Sequence, residues 1–258
     1  MNRYKKVLTK IYDGLLEAFL PDNFFFSAKG YCPCCDKDVV FRARNSWLRD
    51  SFLCTNCTSI PRERAIMLII EKVLPEWKSL KIHESSPGNK GASLKLKENC
   101  SEYIASQYFP GEKFGIKIGD FRNEDLENQT FDDEAFDLVV TQDVMEHVYD
   151  PAKAFKEIAR TLKKGGHYIF TTPLVNKFRP TEIWAKKGEG GKPIFLKEPE
   201  YHGNPVDPEG SPVTMHWGYD IVDFIKSASG MDTEIEYIYD LNFGLRAEFN
   251  EVVICRKN

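Results

Sequence analysis

The sequence predicts an α/β protein: a doubly wound, mostly parallel sheet with an antiparallel edge pair, preceded by a small N-terminal zinc ribbon. Three observations carry that prediction. Strand-like and helix-like periods alternate from Leu80 to Pro173, which is the pattern of crossovers onto a parallel sheet. One strand, "FDLVVTQD", is apolar along most of its length, as a strand buried on both faces must be. Two C-x2-C pairs stand ahead of the alternation, at the spacing of a structural metal site.

Residues 1–30 are read as a helical segment, because Val7, Ile11, Leu15, Leu16 and Phe19 recur at helical spacing. They lack the apolar core and the small-residue cleavage site of a signal peptide. Residues 31–60 are read as the ribbon. Cys32 and Cys35 make one pair, Cys54 and Cys57 the other; each turn aims two thiolates at one point, so two turns build a tetrahedral cage. Four thiolates leave no open position, so the zinc is structural. Cys34 is surplus and able to replace Cys32 or Cys35. The segment between the pairs, "DVVFRARNSWLRDSFL", alternates well enough for a short hairpin. Five of the seven cysteines cluster here and no disulfide framework is visible, which points to a reducing, cytoplasmic setting.

Residues 61–258 form the main domain. "SIPRERAIMLIIEKVLPEW" reads as a helix with Ser59 as N-cap, Pro61 in the first turn and Pro75 as its stop. "SLKIHE" is a strand, followed by a helix over Gly91 to Asn99, then "EYIASQY", the weaker "FGIKIG" and "FDLVVTQD". Asp150 caps a helix that has Pro151 at its first position and Gly165 past its end, and "HYIFTTP" is the fifth strand. "EIEYIYD" and "NEVVICRK" form the antiparallel edge pair. This order makes the sheet Rossmann-like, with ligands expected at the carboxyl ends of the strands.

From Leu80 to Pro173 the chain resembles the class I S-adenosylmethionine-dependent methyltransferases, of the type 11-like subgroup associated with polysaccharide and small-molecule biosynthesis. The resemblance implies that "HESSPGNKG" is the cofactor loop, with Glu84 as its strand-end acid, Ser85 and Ser86 beside the methionine end, and Gly88 as its one indispensable glycine. It implies that Ser106 and Gln107 stand where an acid usually holds the ribose, and that Asp125 and the Leu126 N–H meet the adenine. Gln142 and Asp143 face the reacting methyl, and His147 follows with Glu146 on the next turn. Neither a dinucleotide nor a P-loop fingerprint is present.

Methyl transfer to a hydroxyl requires an acceptor held in line and a base to remove its proton. The long irregular segment 174–218 is read as a substrate lid, since such loops are usually functional. Its His202 and His216, with His147, are candidates for the base. Tyr201, Asn204 and Trp217 are candidates for acceptor binding. The expected acceptor is a small molecule or glycan, a hydroxyl of a sugar, nucleotide-sugar or surface polysaccharide. An RNA methyltransferase using the ribbon and its nearby arginines is the alternative. The net charge of −4 and "TQDV" in place of a base-methylating tetrapeptide disfavour it. A non-catalytic cofactor-binding scaffold is the third reading. No apolar run approaches the roughly 18 residues of a membrane span.

Overall fold

The computed structural model describes residues 25–204 and 206–258. The expected N-terminal helix lies outside the described residues up to position 24. Over 26–30 it gives way to β1 (Phe26–Cys32), whose burial alternates residue by residue.

β1 pairs antiparallel with β2 (Lys37–Ala43), and β2 with β3 (Phe52–Cys54). A four-residue helix α1 (Leu48–Ser51) leads into β3. The hairpin expected between the cysteine pairs is therefore displaced: the first pair sits at the tip of the β1–β2 hairpin, where Asp36 takes a left-handed φ of 53°. α2 (Pro61–Val73) follows. Its N-cap is Ile60, not Ser59; Glu63 accepts the Ile60 N–H at 2.9 Å, closing the first turn as a capping box does.

The main sheet has eight strands. β4 (Lys81–Ser85) runs into α3 (Gly91–Asn99) and β5 (Glu102–Gln107). β6 (Lys117–Ile118) and β7 (Phe121–Asn123) come next. The expected third strand splits here. β7 is the parallel neighbour of β5, while β6 folds back antiparallel at the edge through Gly119 at φ 59°. β8 (Phe136–Gln142), α4 (Pro151–Thr161) and β9 (Leu162–Thr171) complete the second half. Asp150 caps α4 by accepting the Lys153 N–H. The helix ends at Thr161, before Gly165, because Leu162 is already extended and pairs with Phe136.

Three two-stranded pairings build the 174–218 segment: β10 (Glu182–Ile183) with β15 (Met215–His216), β11 (Ala185–Lys187) with β12 (Pro193–Phe195), and β13 (Tyr201–His202) with β14 (Ser211–Pro212). α5 (Ile221–Ser229), β16 (Asp232–Tyr237) and β17 (Glu251–Arg256) end the chain. The sheet order is β16-β17-β9-β8-β4-β5-β7-β6, with β17 antiparallel to both neighbours.

Two apolar layers cover the sheet. Phe155, Ile158, Trp217, Ile221 and Ile225 bury one face with Val139, Phe170 and Val253. On the other face, Ile66, Ile70 and Leu96 join Ile82, Leu138 and Ile254, and the same cluster takes in Cys32, Phe41 and Phe52. The cysteine-bearing sheet thus shares the main core. Contact is close: a Cβ at Gly30 would stand 2.7 Å from the Asn242 carbonyl carbon, so only glycine fits there.

Candidate active site

The chain leaves β4 in one direction through β5 and β7, then returns on the other side through β8 and β9. At such a reversal the strand ends part and leave a crevice. A cleft of about 1930 Å³ opens there, lined by Ser85, Gln107, Gln142 and Pro173 at or just past the strand ends. Single-ligand pockets run about 300–1,000 Å³, so two molecules fit side by side.

Of the cofactor-side candidates, Ser85, Ser86, Gln107, Asp125, Leu126, Gln142 and Asp143 line this cleft. Ser86 holds a φ of 55°, and its N–H donates to the Ser106 carbonyl at 2.8 Å. Three candidates lie elsewhere. Glu84 is fully buried, accepting from Ser93 Oγ at 2.6 Å, Tyr103 Oη at 2.8 Å and Gln142 Nε2 at 3.0 Å. Burial pushes its pKa up, and the carboxyl group holds the Gln142 side chain. Ser106 is also fully buried, its hydroxyl 2.7 Å from His83 Nε2. Gly88 is not constrained: a Cβ there would meet nothing nearer than Ser93 Oγ at 3.8 Å. Gly91 is the constrained glycine, at φ 59° and with Glu63 Cδ 2.6 Å from any added Cβ.

Asp143 is engaged from the N-terminal side. Arg49 Nη2 lies at 2.6 Å and Arg62 Nε at 3.1 Å, and Thr171 Oγ1 donates at 3.0 Å. Burial opposes ionisation of Asp143, but the two guanidiniums outweigh it and hold the carboxyl below its ordinary value. The residues that reach across, Asn45, Trp47, Arg49 and Arg62, form one wall of the cleft. Sequence reasoning noted these arginines only as a basic patch, because their partner stands far along the chain.

All three candidate histidines line the opposite wall. The backbone that brings them together is short: the Thr214 N–H donates to the Glu146 carbonyl at 2.7 Å, and Thr214 Oγ1 to the Val148 carbonyl at 2.6 Å. This docks β15 on the turn after β8. His216 Nε2 lies 3.1 Å from Glu200 Oε2, and its ring stacks on Trp184 with centroids 3.7 Å apart. His202 Nε2 lies 3.6 Å from Glu200 Oε1 and its Nδ1 3.8 Å from Glu146 Oε1. His147 Nδ1 donates to the Pro212 carbonyl at 2.9 Å.

These environments set the charges. The Glu200 carboxylate raises the pKa of His202 against the effect of burial, and His202 and His216 together hold Glu200 well below the carboxylate range. Burial, reinforced by Asp143, lifts Glu146 to about 7. Burial lowers His147 to about 4. Glu200 was missed in the sequence, which offers no signal for an acid whose partners come from β13 and β15.

Among the acceptor candidates, Tyr201 is half exposed in the cleft and Asn204 lines it, its Nδ2 donating to Ser211 Oγ at 3.0 Å. Trp217 is a core residue instead. It is fully buried against Phe155 and Phe224, and its indole N–H donates to the Met145 carbonyl at 3.2 Å.

Away from the cleft, Cys32, Cys35, Cys54 and Cys57 bring their sulfurs together. Cys32 and Cys57 Sγ are 3.7 Å apart, Cys35 and Cys54 Sγ 3.9 Å. A tetrahedral S4 site with bonds of about 2.3 Å has edges of about 3.8 Å, so the donor set fits. Backbone N–H groups of Asn56 and Cys57 point at Cys54 Sγ. Ser59, expected as a helix cap, places its hydroxyl 3.2 Å from Cys57 Sγ. Cys34 stands outside the cluster, with its thiol on the Glu63 carbonyl.

Residues 92–170 match a family described as a methyltransferase domain. A sarcosine/dimethylglycine N-methyltransferase of Halorhodospira halochloris is 42% identical over 59 residues, a match spanning 23% of this chain and only 20% of that enzyme. Among solved structures, an S-adenosylmethionine dependent methyltransferase from Mesorhizobium loti aligns at 18% identity and a TM-score of 0.49, covering 75% of this chain and 98% of that one. A 1,6-didemethyltoxoflavin-N1-methyltransferase of Burkholderia thailandensis, with S-adenosylhomocysteine bound, aligns at 10% identity and a TM-score of 0.46, covering 76% and 78%.

Proposed function

We propose that the chain is a class I S-adenosylmethionine-dependent methyltransferase, a reading supported by the methyltransferase-domain match over residues 92–170, and that it methylates a hydroxyl of a small polar acceptor. The acceptor class is a sugar, nucleotide-sugar or surface-polysaccharide component, handled in the cytoplasm. The observation that carries this reading is the Glu200–His216 pair, set in the same cleft as the strand-end residues Gln142 and Asp143. A hydroxyl needs a base at neutral pH, and this pair supplies one.

The cofactor, when bound, supplies an electrophilic methyl on a sulfonium. Ser85, Ser86 and Gln142 would hold its methionine end, Gln107, Asp125 and Leu126 its nucleoside end, a reading supported by their common place in the cleft lining. On the acceptor side, His216 donates its Nε2–H to Glu200, which leaves Nδ1 as the lone-pair nitrogen. Nδ1 would take the acceptor's hydroxyl proton as the oxygen takes the methyl, and the electrons of the broken S–C bond would stay with the departing thioether. Glu200 stabilises the resulting imidazolium. Trp184, stacked on His216, fixes the ring plane, and Tyr201 offers an aromatic face to a sugar ring. The four-thiolate site holds a structural Zn2+, a reading supported by its sulfur spacing.

Calorimetry with S-adenosylmethionine, followed by methyl transfer to a panel of nucleotide-sugars, glycine-type amines and RNA, tests this function. Binding of the cofactor, transfer to a sugar hydroxyl, and a loss of about 10²–10⁴ in kcat for His216→Asn are expected. No binding at millimolar cofactor overturns the enzyme reading. Transfer to amines alone overturns the acceptor class. RNA affinity falling steeply with salt moves the assignment to RNA.

A further inference from the structure

Glu146, His147 and His202 make a second cluster, and nothing in the proton-transfer chemistry of His216 explains it. One ligand-type atom from each lies within 4.8 Å of the others. Glu146 Oε1 is 3.8 Å from His147 Nε2 and 3.8 Å from His202 Nδ1. Those separations are too long for hydrogen bonds. Glu146 is 2% exposed, and its Oε1 is buried with no hydrogen-bond partner. A buried carboxylate oxygen without a partner is costly, and this one is aimed at two imidazole nitrogens.

The other atom of each residue is already held. Glu146 Oε2 accepts from Thr172 Oγ1 at 2.9 Å. His147 Nδ1 donates to the Pro212 carbonyl, which fixes the tautomer with its lone pair on Nε2. His202 Nε2 faces Glu200 at 3.6 Å, so Nδ1 is the nitrogen turned toward Glu146. Metal-binding histidines show this arrangement, one nitrogen anchored to a carbonyl or carboxylate and the other presented to the ion.

The geometry points to a divalent transition-metal site, of the zinc, iron or manganese type, held by Glu146 Oε1, His147 Nε2 and His202 Nδ1. Two imidazoles and one carboxylate select such an ion over magnesium or calcium, which take oxygen donors. Donors at about 2.1 Å from an ion in tetrahedral array stand about 3.4 Å apart, so each 3.8 Å separation closes by a few tenths of an ångström on binding. Three protein ligands leave at least one position open, and His202 is 38% exposed on the cleft side. That is the pattern of a reactive site, in contrast to the closed thiolate cage. If the acceptor is a hydroxyl, as proposed above, the ion binds its oxygen and makes its proton more acidic, while His216 receives that proton.

Metal binding is measured without the cofactor, so its failure is distinct from failure of the methyltransferase reading. The full chain, its thiolate site loaded with zinc, is titrated separately with Zn2+ and with Mn2+, whose preference for oxygen and nitrogen keeps it off the thiolates. One further equivalent is expected for each ion. Binding should weaken at least about 100-fold in His202→Ala, whose side chain is on the lid and leaves the core intact, and in Glu146→Gln. The His216→Asn variant should bind as the wild type does. Absence of a second equivalent for both ions, or affinity unchanged in His202→Ala, overturns the site.

Discussion

The four-cysteine cluster and the Glu146–His147–His202 cluster are both convergences of ligand-type side chains, yet they are built oppositely. The thiols come from two knuckles with eighteen residues between them, are matched to one another, and lie in the core shared by β1–β3, α2 and the sheet. Their geometry is complete. The cleft cluster draws two residues from the turn after β8 and one from the lid, and it faces open space. Its geometry is incomplete on the side where an acceptor enters. A closed donor set is spent on folding, an open one is available to chemistry.

That contrast breaks most visibly if the thiolates are disturbed. Structural zinc in small domains is worth about 10–16 kcal/mol of apparent binding energy, comparable with the roughly 5–15 kcal/mol of a whole domain's stability. Cys54→Ser should therefore lose bound zinc, read by elemental analysis, and with it the cooperative melting transition. His202→Ala should leave the melting temperature near that of the wild type. A Cys54→Ser protein that melts normally would show that apolar packing alone orders the ribbon.

Arg64 tests how much of that order the guanidinium carries. It has no exposure, donates to the Ser59 carbonyl, and reaches the Phe52 and Gly244 carbonyls at 2.8 Å each. Its Cζ stands 4.5 Å over the Phe41 ring. Arg64→Met keeps the volume and takes the guanidinium from the Phe52 and Gly244 carbonyls, while the Ser59 carbonyl keeps the Cys54 N–H, at about 1–3 kcal/mol for each group left unsatisfied. A loss of about 3–5 kcal/mol is expected in urea unfolding of the zinc-loaded protein. A loss below about 1 kcal/mol would assign the docking to the thiolate site and the apolar core.

Much of this was legible before any coordinates, and what was not has a common cause. Period and capping chemistry are local, so α3, β8 and the start of α4 fall where residue spacing puts them. The cysteine pairs are likewise a spacing signal. Trp217, Ser106 and Glu84 turn into the core and not to the cleft, because a position in sequence says nothing about which way a strand-end or loop side chain turns. Gly88 was preferred to Gly91 because the resemblance aligned it, whereas the need for glycine arises from Glu63, a residue of the preceding helix. Arg49, Arg62 and Glu200 escaped for the same reason: each acquires its role from partners on other elements. The strand over 26–30 was hidden by an amphipathic pattern that continues from the residues before it.

A core histidine gives the smallest and cleanest contrast with those of the cleft. His202 has its pKa raised by Glu200; His83 has no exposure and, among the described residues, no ion pair with an acid. Its Nε2 meets only the Ser106 hydroxyl, and its ring lies between Phe131 and Phe136, with centroids at 4.7 and 5.1 Å. Burial, with a smaller push from Arg122, lowers its pKa to about 3. The unfolded chain, at about 6.5, then binds the proton that the folded one refuses. Stability from this group is full above pH 6.5 and falls as the pH drops toward 3, because there the unfolded state holds more protons. Between pH 7.5 and pH 5.0 the loss amounts to about 2 kcal/mol. Urea unfolding at both pH values should show the wild type losing about that much more than His83→Gln, since every other titrating group is shared. Equal losses in the two proteins would mean that His83 accepts a proton in the folded sheet, and that the dry core and the carboxylate-lined cleft treat their histidines alike.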